Sequence, residues 1–266
     1  MATDAISLQH VSKKFGDFTA VNDITLNVKE GEIFAFLGPN GAGKSTTIKM
    51  LTTLLRPTNG TLELAGNNVV THPDAARKSF GVVFQDPSLD DDLTAYENMT
   101  FHAALYNVPK AGLRERIEQL LALVELKERE NHLVKTFSGG MKRRLEIARG
   151  LLHKPHILFM DEPTLGLDTQ TRQLLWDYVT KLSRENDMTI FFTTHYLEEA
   201  EMVAGRIAII DHGKIIALGT DQELKAQTGT DSLEKAYLKL TGTKVRDEEV
   251  SDADNRASRI RARRVR

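Results

Sequence analysis

The segment IFAFLGPNGAGKSTTIKML, Ile33 to Leu51, constrains this chain more than any other. It opens with a short, continuous apolar run, the pattern of a strand buried on both faces. A glycine-rich turn follows, then a helix-like stretch from Ser45 to about Leu55. Within it Gly38, Pro39, Asn40, Gly41, Ala42, Gly43, Lys44, Ser45 and Thr46 fit G-x-x-x-x-G-K-[ST] between a strand and a helix, the context that this motif requires. The glycines let backbone N–H groups wrap a polyphosphate. Lys44 adds a point charge at the β and γ phosphates, and the Ser45 hydroxyl suits Mg²⁺. A turn that uses glycine for shape alone would not need those flanking elements. A nucleotide site is expected.

The rest of the chain reads as the sheet and helices around that turn. Ile24, Leu26 and Val28 alternate with Thr25 and Asn27, and TLELAGNN and SFGVVFQ are strand-like. From about Leu89 to Leu152 the pattern turns helical, with a capping-box pair at Thr94 and Glu97. Leu113, Ile117, Leu120, Leu121 and Val124 recur at helical spacing. Met141, Leu145, Ala148 and Leu152 form one apolar stripe, leaving Lys142, Arg143 and Arg149 mostly off it. Lys142 to Arg144 is expected to be a solvated face. Strand texture returns in HILFMDEP, MTIFFTTH and RIAIIDHGKIIALG, with helical QTRQLLWDYVTKLSREN between. Such alternation predicts a largely parallel, doubly wound sheet with the helical block inserted into it. DSLEKAYLKL reads as one more helix. Beyond Thr243 come acidic residues, then six arginines from Arg256 on, with almost no apolar content, so 243–266 is expected to be disordered. A contact of Arg256 to Arg266 with anionic lipid headgroups is the alternative use of that tail.

Two stretches carry further chemistry. ILFMDEP puts Asp161 and Glu162 at the end of an apolar strand, where open α/β sheets bind their ligands. Asp161 suits a Mg²⁺ contact, and Glu162 is placed to take a proton from an attacking water. In TFSGGMKRRLEIARG, Ser138, Gly139 and Gly140 precede a basic helix. Glycine is costly inside a helix, so two at its start predict uncovered N–H groups that accept an anion.

Taken together these pieces resemble the ATP-binding subunit of an ABC transporter, over about residues 5 to 242. GPNGAGKST, Gln85 in VVFQD, FSGGM, ILFMDEP, LGLD and His195 in FFTTH stand in the family's order. The resemblance implies an α/β fold: a P-loop NTPase (RecA-like) core with a mainly parallel sheet, an antiparallel N-terminal β part and an inserted helical subdomain. It implies a core of about 1–88 and 153–230, a helical subdomain of about 89–152 and a C-terminal helix of about 231–241. It further implies ATP with Mg²⁺, and a homodimer or a pair with a related subunit. In that pair Ser138, Gly139 and Gly140 of one copy cap the γ-phosphate held by the other's phosphate loop.

Other positions follow from the same resemblance. Gln85 is implied to sense Mg²⁺ and the attacking water, His195 to contact the γ-phosphate, Asp168 to help arrange the facing site, and Phe15 to stack on adenine. Phe137 departs from the family's more usual leucine. MKRRLEIARGLLHKPHILFMDEPTLGLDTQTR and SLEKAYLKLTG look like the ABC-2 type exporter ATPases, the daunorubicin-resistance group among them. An exporter motor working through a separate integral-membrane permease, at the cytoplasmic face, is implied. A soluble family member acting outside transport stays open as the alternative, although neither a second cassette nor a long coiled coil is visible.

Composition narrows the classes. A formal net charge of −2 over 266 residues gives no global reason to expect nucleic acid. The chain has no cysteine, so disulfides and thiolate metal sites are excluded. The N-terminus lacks the apolar core of a secretory signal, and no apolar run approaches the roughly 20 residues of a membrane span.

Overall fold

The computed structural model describes residues 4–86 and 88–242. The expectation of a disordered tail at 243–266 lies outside the described residues.

Two hairpin-rich strands come first, β1 (Asp4–Phe15) and β2 (Phe18–Lys29), followed by β3 (Ile33–Leu37) and helix α1 (Lys44–Leu51). Next are β4 (Asn59–Leu64), β5 (Asn67–Asn68), α2 (Pro73–Ser79) and β6 (Phe80–Val83). The helices α3 (Ala95–Leu105), α4 (Leu113–Leu123) and α5 (Gly139–Gly150) intervene before β7 (Ile157–Asp161). The chain continues through α6 (Thr169–Asn186), β8 (Thr189–Thr194), α7 (Leu197–Val203), β9 (Arg206–Asp211) and β10 (Lys214–Gly219). It closes with α8 (Asp221–Thr228) and α9 (Leu233–Thr241). α1 stops at Leu51, short of the expected Leu55, and Thr53 then takes a left-handed φ of 63° that a helix cannot continue.

Two sheets form. One is antiparallel, in the order β2-β1-β4-β5. The other runs β10-β9-β3-β8-β7-β6 and is parallel except where β10 pairs with β9. The apolar runs explain why the second sheet is central. Period-2 alternation sends Phe34 and Phe36 of β3 to one face and Ala35 and Leu37 to the other. β7 splits likewise, Ile157 and Phe159 against Leu158 and Met160.

Each face owns a core. The Phe34 face packs on α1 and on the antiparallel sheet through Ile6, Leu8, Leu26 and Ile48. The Leu37 face packs on α3 to α7, with Trp176 of α6 lying 4.5 Å from the Phe192 ring. A strand with apolar residues on both faces has no polar side to show water, so covering layers on both sides are obligatory. The expected fold class is observed.

The inserted helices are held by the predicted signals. Thr94 and Glu97 close a capping box at α3, worth about 1 kcal/mol. Ile117, Leu120 and Leu121 of α4 are buried against α5.

Candidate active site

Turns at the carboxyl ends of β3, β7 and β8 meet because these strands are parallel and adjacent. Leu37 lies opposite Thr194, and Asp161 opposite Thr193. The turn after β3 needs glycine for close approach. A Cβ on Gly38 would sit 2.4 Å from the Ile210 carbonyl oxygen. One on Gly43 would sit 2.6 Å from that of Ala20, and Gly43 also has φ 107°. Gly43 is the N-cap of α1 and supplies no capping side chain. The first-turn N–H groups and the positive end of the helix dipole are therefore available to an anion.

Lys44 is buried, and its Nζ donates to the carbonyls of Gly38 at 2.7 Å and Pro39 at 3.1 Å. The same Nζ lies 3.0 Å from Glu162 Oε1, while Glu162 Oε2 lies 2.9 Å from His195 Nδ1. Lys44, Glu162 and His195 thus converge, although 151 positions in the numbering separate the first from the last. Glu162 is 8% exposed and holds φ 46°, uncommon for a residue with a side chain. Such a backbone persists only where its surroundings over-determine it.

Asp161 and Ser45 also meet: Ser45 Oγ donates to Asp161 Oδ1 at 3.3 Å. A threonine that sequence reasoning missed completes the arrangement. Thr193 Oγ1 donates to Asp161 Oδ1 at 2.5 Å and accepts the Glu162 N–H at 3.0 Å. One hydroxyl therefore sets both neighbouring carboxyl residues. Its signal was present in FFTTH, two hydroxyls that directly follow an apolar run at the end of a strand.

Glu199 was missed as well. It is 1% exposed, accepts from Thr164 Oγ1 and Thr194 Oγ1, and lies 3.4 Å from Arg172 Nε. It ties the turn after Glu162 to the strand end that carries His195.

The remaining expected residues stand at the ends of other elements. Gln85 follows β6 and is exposed, with no hydrogen bond to Ser45 or Asp161. Phe15 ends β1, 49% exposed, with Lys13 Nζ 5.1 Å from its ring centroid. Asp168 caps α6, accepting from Thr171 N at 3.0 Å and Thr171 Oγ1 at 2.7 Å. Those bonds hold its carboxyl below the usual aspartate range.

Ser138 caps α5, accepting from Met141 N at 3.3 Å, and both Ser138 and Gly139 face solvent. The two glycines differ. A Cβ on Gly140 would strike Thr171 Cγ2 at 2.5 Å, whereas on Gly139 the nearest atom, Leu167 Cδ2, is 4.0 Å away. Packing within the chain accounts for Gly140 and not for Gly139.

One expectation is overturned. Lys142 to Arg144 is not a uniformly solvated face, because Arg143 is only 6% exposed and its guanidinium is spent on carbonyls around Glu162. Its carbonyl partners are sequence-distant, so nothing local in KRR marked it.

The donor set suits a hard cation. Ser45 and Asp161 offer a hydroxyl and a carboxylate, and no group of three or more His, Asp or Glu that could hold a metal occurs among the described residues. Mg²⁺ fits such a sparse set, since it keeps waters and takes phosphate oxygens as its other ligands. An anion-binding helix end beside those oxygens, with one carboxylate left over to handle a proton, is the equipment of a P-loop nucleotide hydrolase.

Comparison with known proteins narrows the class. Residues 21–165 match the family described as "ABC transporter". The daunorubicin/doxorubicin resistance ATP-binding protein DrrA of Streptomyces peucetius is 44% identical over 87% of this chain and 70% of its own length. The linearmycin resistance ATP-binding protein LnrL of Bacillus subtilis (strain 168) is 40% identical over 86% of this chain and 73% of its own. Among solved structures, an ATP-binding subunit of an ABC transporter superposes with a TM-score of 0.81 at 30% identity, covering 90% of this chain and 100% of that one. The dimeric post-hydrolysis state of the ATP-binding cassette MJ0796, bound to ADP and Pi, has a TM-score of 0.73 at 30% identity, over 81% and 98% of the two chains. The chain belongs to the ABC transporter ATP-binding family, and ATP is its nucleotide and its substrate for hydrolysis.

Proposed function

We propose that this chain is the motor subunit of an exporter whose membrane-spanning part is a separate integral-membrane permease. It works at the cytoplasmic face, as a homodimer or beside a related subunit. The drug-resistance names of its relatives support export. Among the described residues no helix is long and apolar enough to cross a membrane, which agrees with a separate permease. The partners are proteins; the net charge of −2 favours no nucleic acid.

The chemistry follows from the convergence of Glu162 with Lys44 at 3.0 Å and His195 at 2.9 Å, the single observation that carries this reading. The N–H groups from Gly41 to Thr46 wrap the phosphates of ATP, and Lys44 moves its charge from Glu162 to the β and γ phosphates. Ser45, Asp161 and Gln85 hold Mg²⁺, which when bound neutralises charge on those phosphates. Glu162, released by Lys44 but still anchored through Thr193, accepts the proton of the attacking water. His195 orients Glu162 and contacts the γ-phosphate. Phe15 stacks on adenine. Ser138, Gly139 and Gly140 of a second copy cap the γ-phosphate, and Asp168 of that copy helps to order the facing site. ADP lacks the group they would grip, so hydrolysis lets the copies part.

Glu162→Gln tests this directly. The variant keeps the shape of the side chain but exchanges one acceptor oxygen for an amide donor and is a far weaker base. ATP affinity by calorimetry should stay within about twofold, while turnover falls by about 10²–10⁴. Light scattering should then show an ATP-stabilised dimer. Turnover at the unmodified rate would overturn the assignment of the base.

A further inference from the structure

Helix α5 carries three charged side chains spaced three residues apart, Arg143, Glu146 and Arg149, and all three turn inward. Glu146 is fully buried and Arg143 nearly so. Residues at this spacing share one helix face. The face meets main chain.

Arg143 Nε donates to Pro163 O at 2.6 Å, and Nη2 donates to Glu162 O at 3.1 Å and Asp161 O at 3.3 Å. Nη1 donates to Phe84 O, the residue before Gln85, and to Glu146 Oε2 at 3.1 Å. Glu146 Oε1 in turn accepts the Ser88 N–H at 2.8 Å, and Arg149 Nη1 donates to Ser88 O at 2.7 Å. The row therefore grips the Gln85 segment at Phe84 and at Ser88, while Arg143 spans the turn that bears Glu162.

We propose that Arg143 is a positioning residue for hydrolysis. It holds the Glu162 turn, and the strand exit leading to Gln85, in register with Ser138 and Gly139 at the start of the same helix. The proposal rests on reading Glu162 as the base. Seating the α5 glycines on a nucleotide then sets the carboxylate as well, because one rigid helix carries both ends.

The physical argument is specific to arginine. Its planar guanidinium offers five N–H donors in a fixed fork, enough for carbonyls on two separate loops and a carboxylate at once. Lysine offers three donors from one atom and cannot span them. Glu162 also needs such an external brace, since its φ of 46° is not a conformation it would hold unaided. A base displaced by about 1 Å can cost about 10²-fold in rate.

The competing role is purely structural: Arg143 would only neutralise buried Glu146. Three variants of the full chain separate the two, namely Arg143→Lys, Arg143→Met and the double variant Arg143→Met/Glu146→Gln. Thermal midpoint, kcat and KM for Mg-ATP are measured at chain concentrations that saturate turnover. We expect kcat to drop by about tenfold or more in all three, with KM within about twofold. The double variant should recover the midpoint lost in Arg143→Met without recovering kcat.

Recovery of kcat along with the midpoint overturns the proposal. So does an Arg143→Lys chain with unmodified kcat, or a KM that rises in step with the loss. Should Arg143→Met fail to fold, Arg143→Lys decides. Glu162→Gln, run in parallel, separates the two readings. If it is inactive while Arg143→Lys is normal, only this proposal falls; if it hydrolyses normally, the base assignment falls first.

Discussion

Gly139 and Gly140 look interchangeable in SGG, yet the surroundings separate them. Thr171 cannot swing away from a new Cβ on Gly140, because its hydroxyl is tied to Asp168 Oδ2 at 2.7 Å. Gly140→Ala should therefore destabilise the chain by about 1–3 kcal/mol through overpacking, visible as a lower denaturation midpoint. Gly139→Ala has room and should leave that midpoint unchanged within about 0.5 kcal/mol, or raise it slightly, since alanine favours the helix. Its effect should appear instead in ATP-driven dimer formation. Equal loss of stability from both substitutions would contradict this division. The sequence marked both residues as places for bare backbone, but the identity of the neighbour, Thr171 or open solvent, lay 31 residues further along the chain for one and outside the chain for the other.

At the scale of elements, the end of α3 and the turn after α5 are joined through a ring stack that responds to acid. His102 lies 4.8 Å from the Tyr106 ring, and Tyr106 stacks on His153 at 4.0 Å. His153 Nε2 faces the Phe80 carbonyl at 2.8 Å, so that nitrogen carries the proton. Burial, with Arg149 and His153 nearby, pushes the His102 pKa down to about 4, and burial lowers that of His153 as well. Between that value and the ordinary 6.5 the unfolded chain binds a proton that the folded chain refuses. The share of stability that depends on His102 should accordingly be lost as pH drops from about 6.5 to about 4. His102→Gln should show a smaller drop in thermal midpoint over that interval; an identical slope would refute the assignment. The helices themselves were legible from capping residues and apolar spacing. Which of their polar faces would be covered was not, and Arg143 shows why: its partners are carbonyl oxygens, which look alike in every sequence.

For the whole molecule, the proposed function gives each chain half of two reaction centres. Ser138 and Gly139 face solvent on one side, while Glu162, Lys44 and His195 gather elsewhere. If a second copy must close each site, turnover per chain should rise with chain concentration and then saturate. Dilution should restore a monomer in ADP. A specific rate independent of concentration over about two decades, with no dimer in Mg-ATP, would count against the split site. Replacing Ser138 by a bulky residue should abolish the concentration dependence while leaving ATP affinity intact.

The chain's own sequence determined the order of motifs along the chain, the phosphate turn and the candidacy of Lys44, Asp161, Glu162 and His195 as reactive groups. These are local matters, because a buried strand, a glycine turn and a helix start each write their requirements into consecutive residues. Only the tertiary structure decided that Thr193 orients two carboxyl residues, that Glu199 and Arg143 are buried among distant partners, and that Gly139 has open space where Gly140 has none. Those features depend on which atoms lie within about 3 Å across the fold, and hydrogen bonds to main-chain groups leave no residue-specific mark at their accepting end.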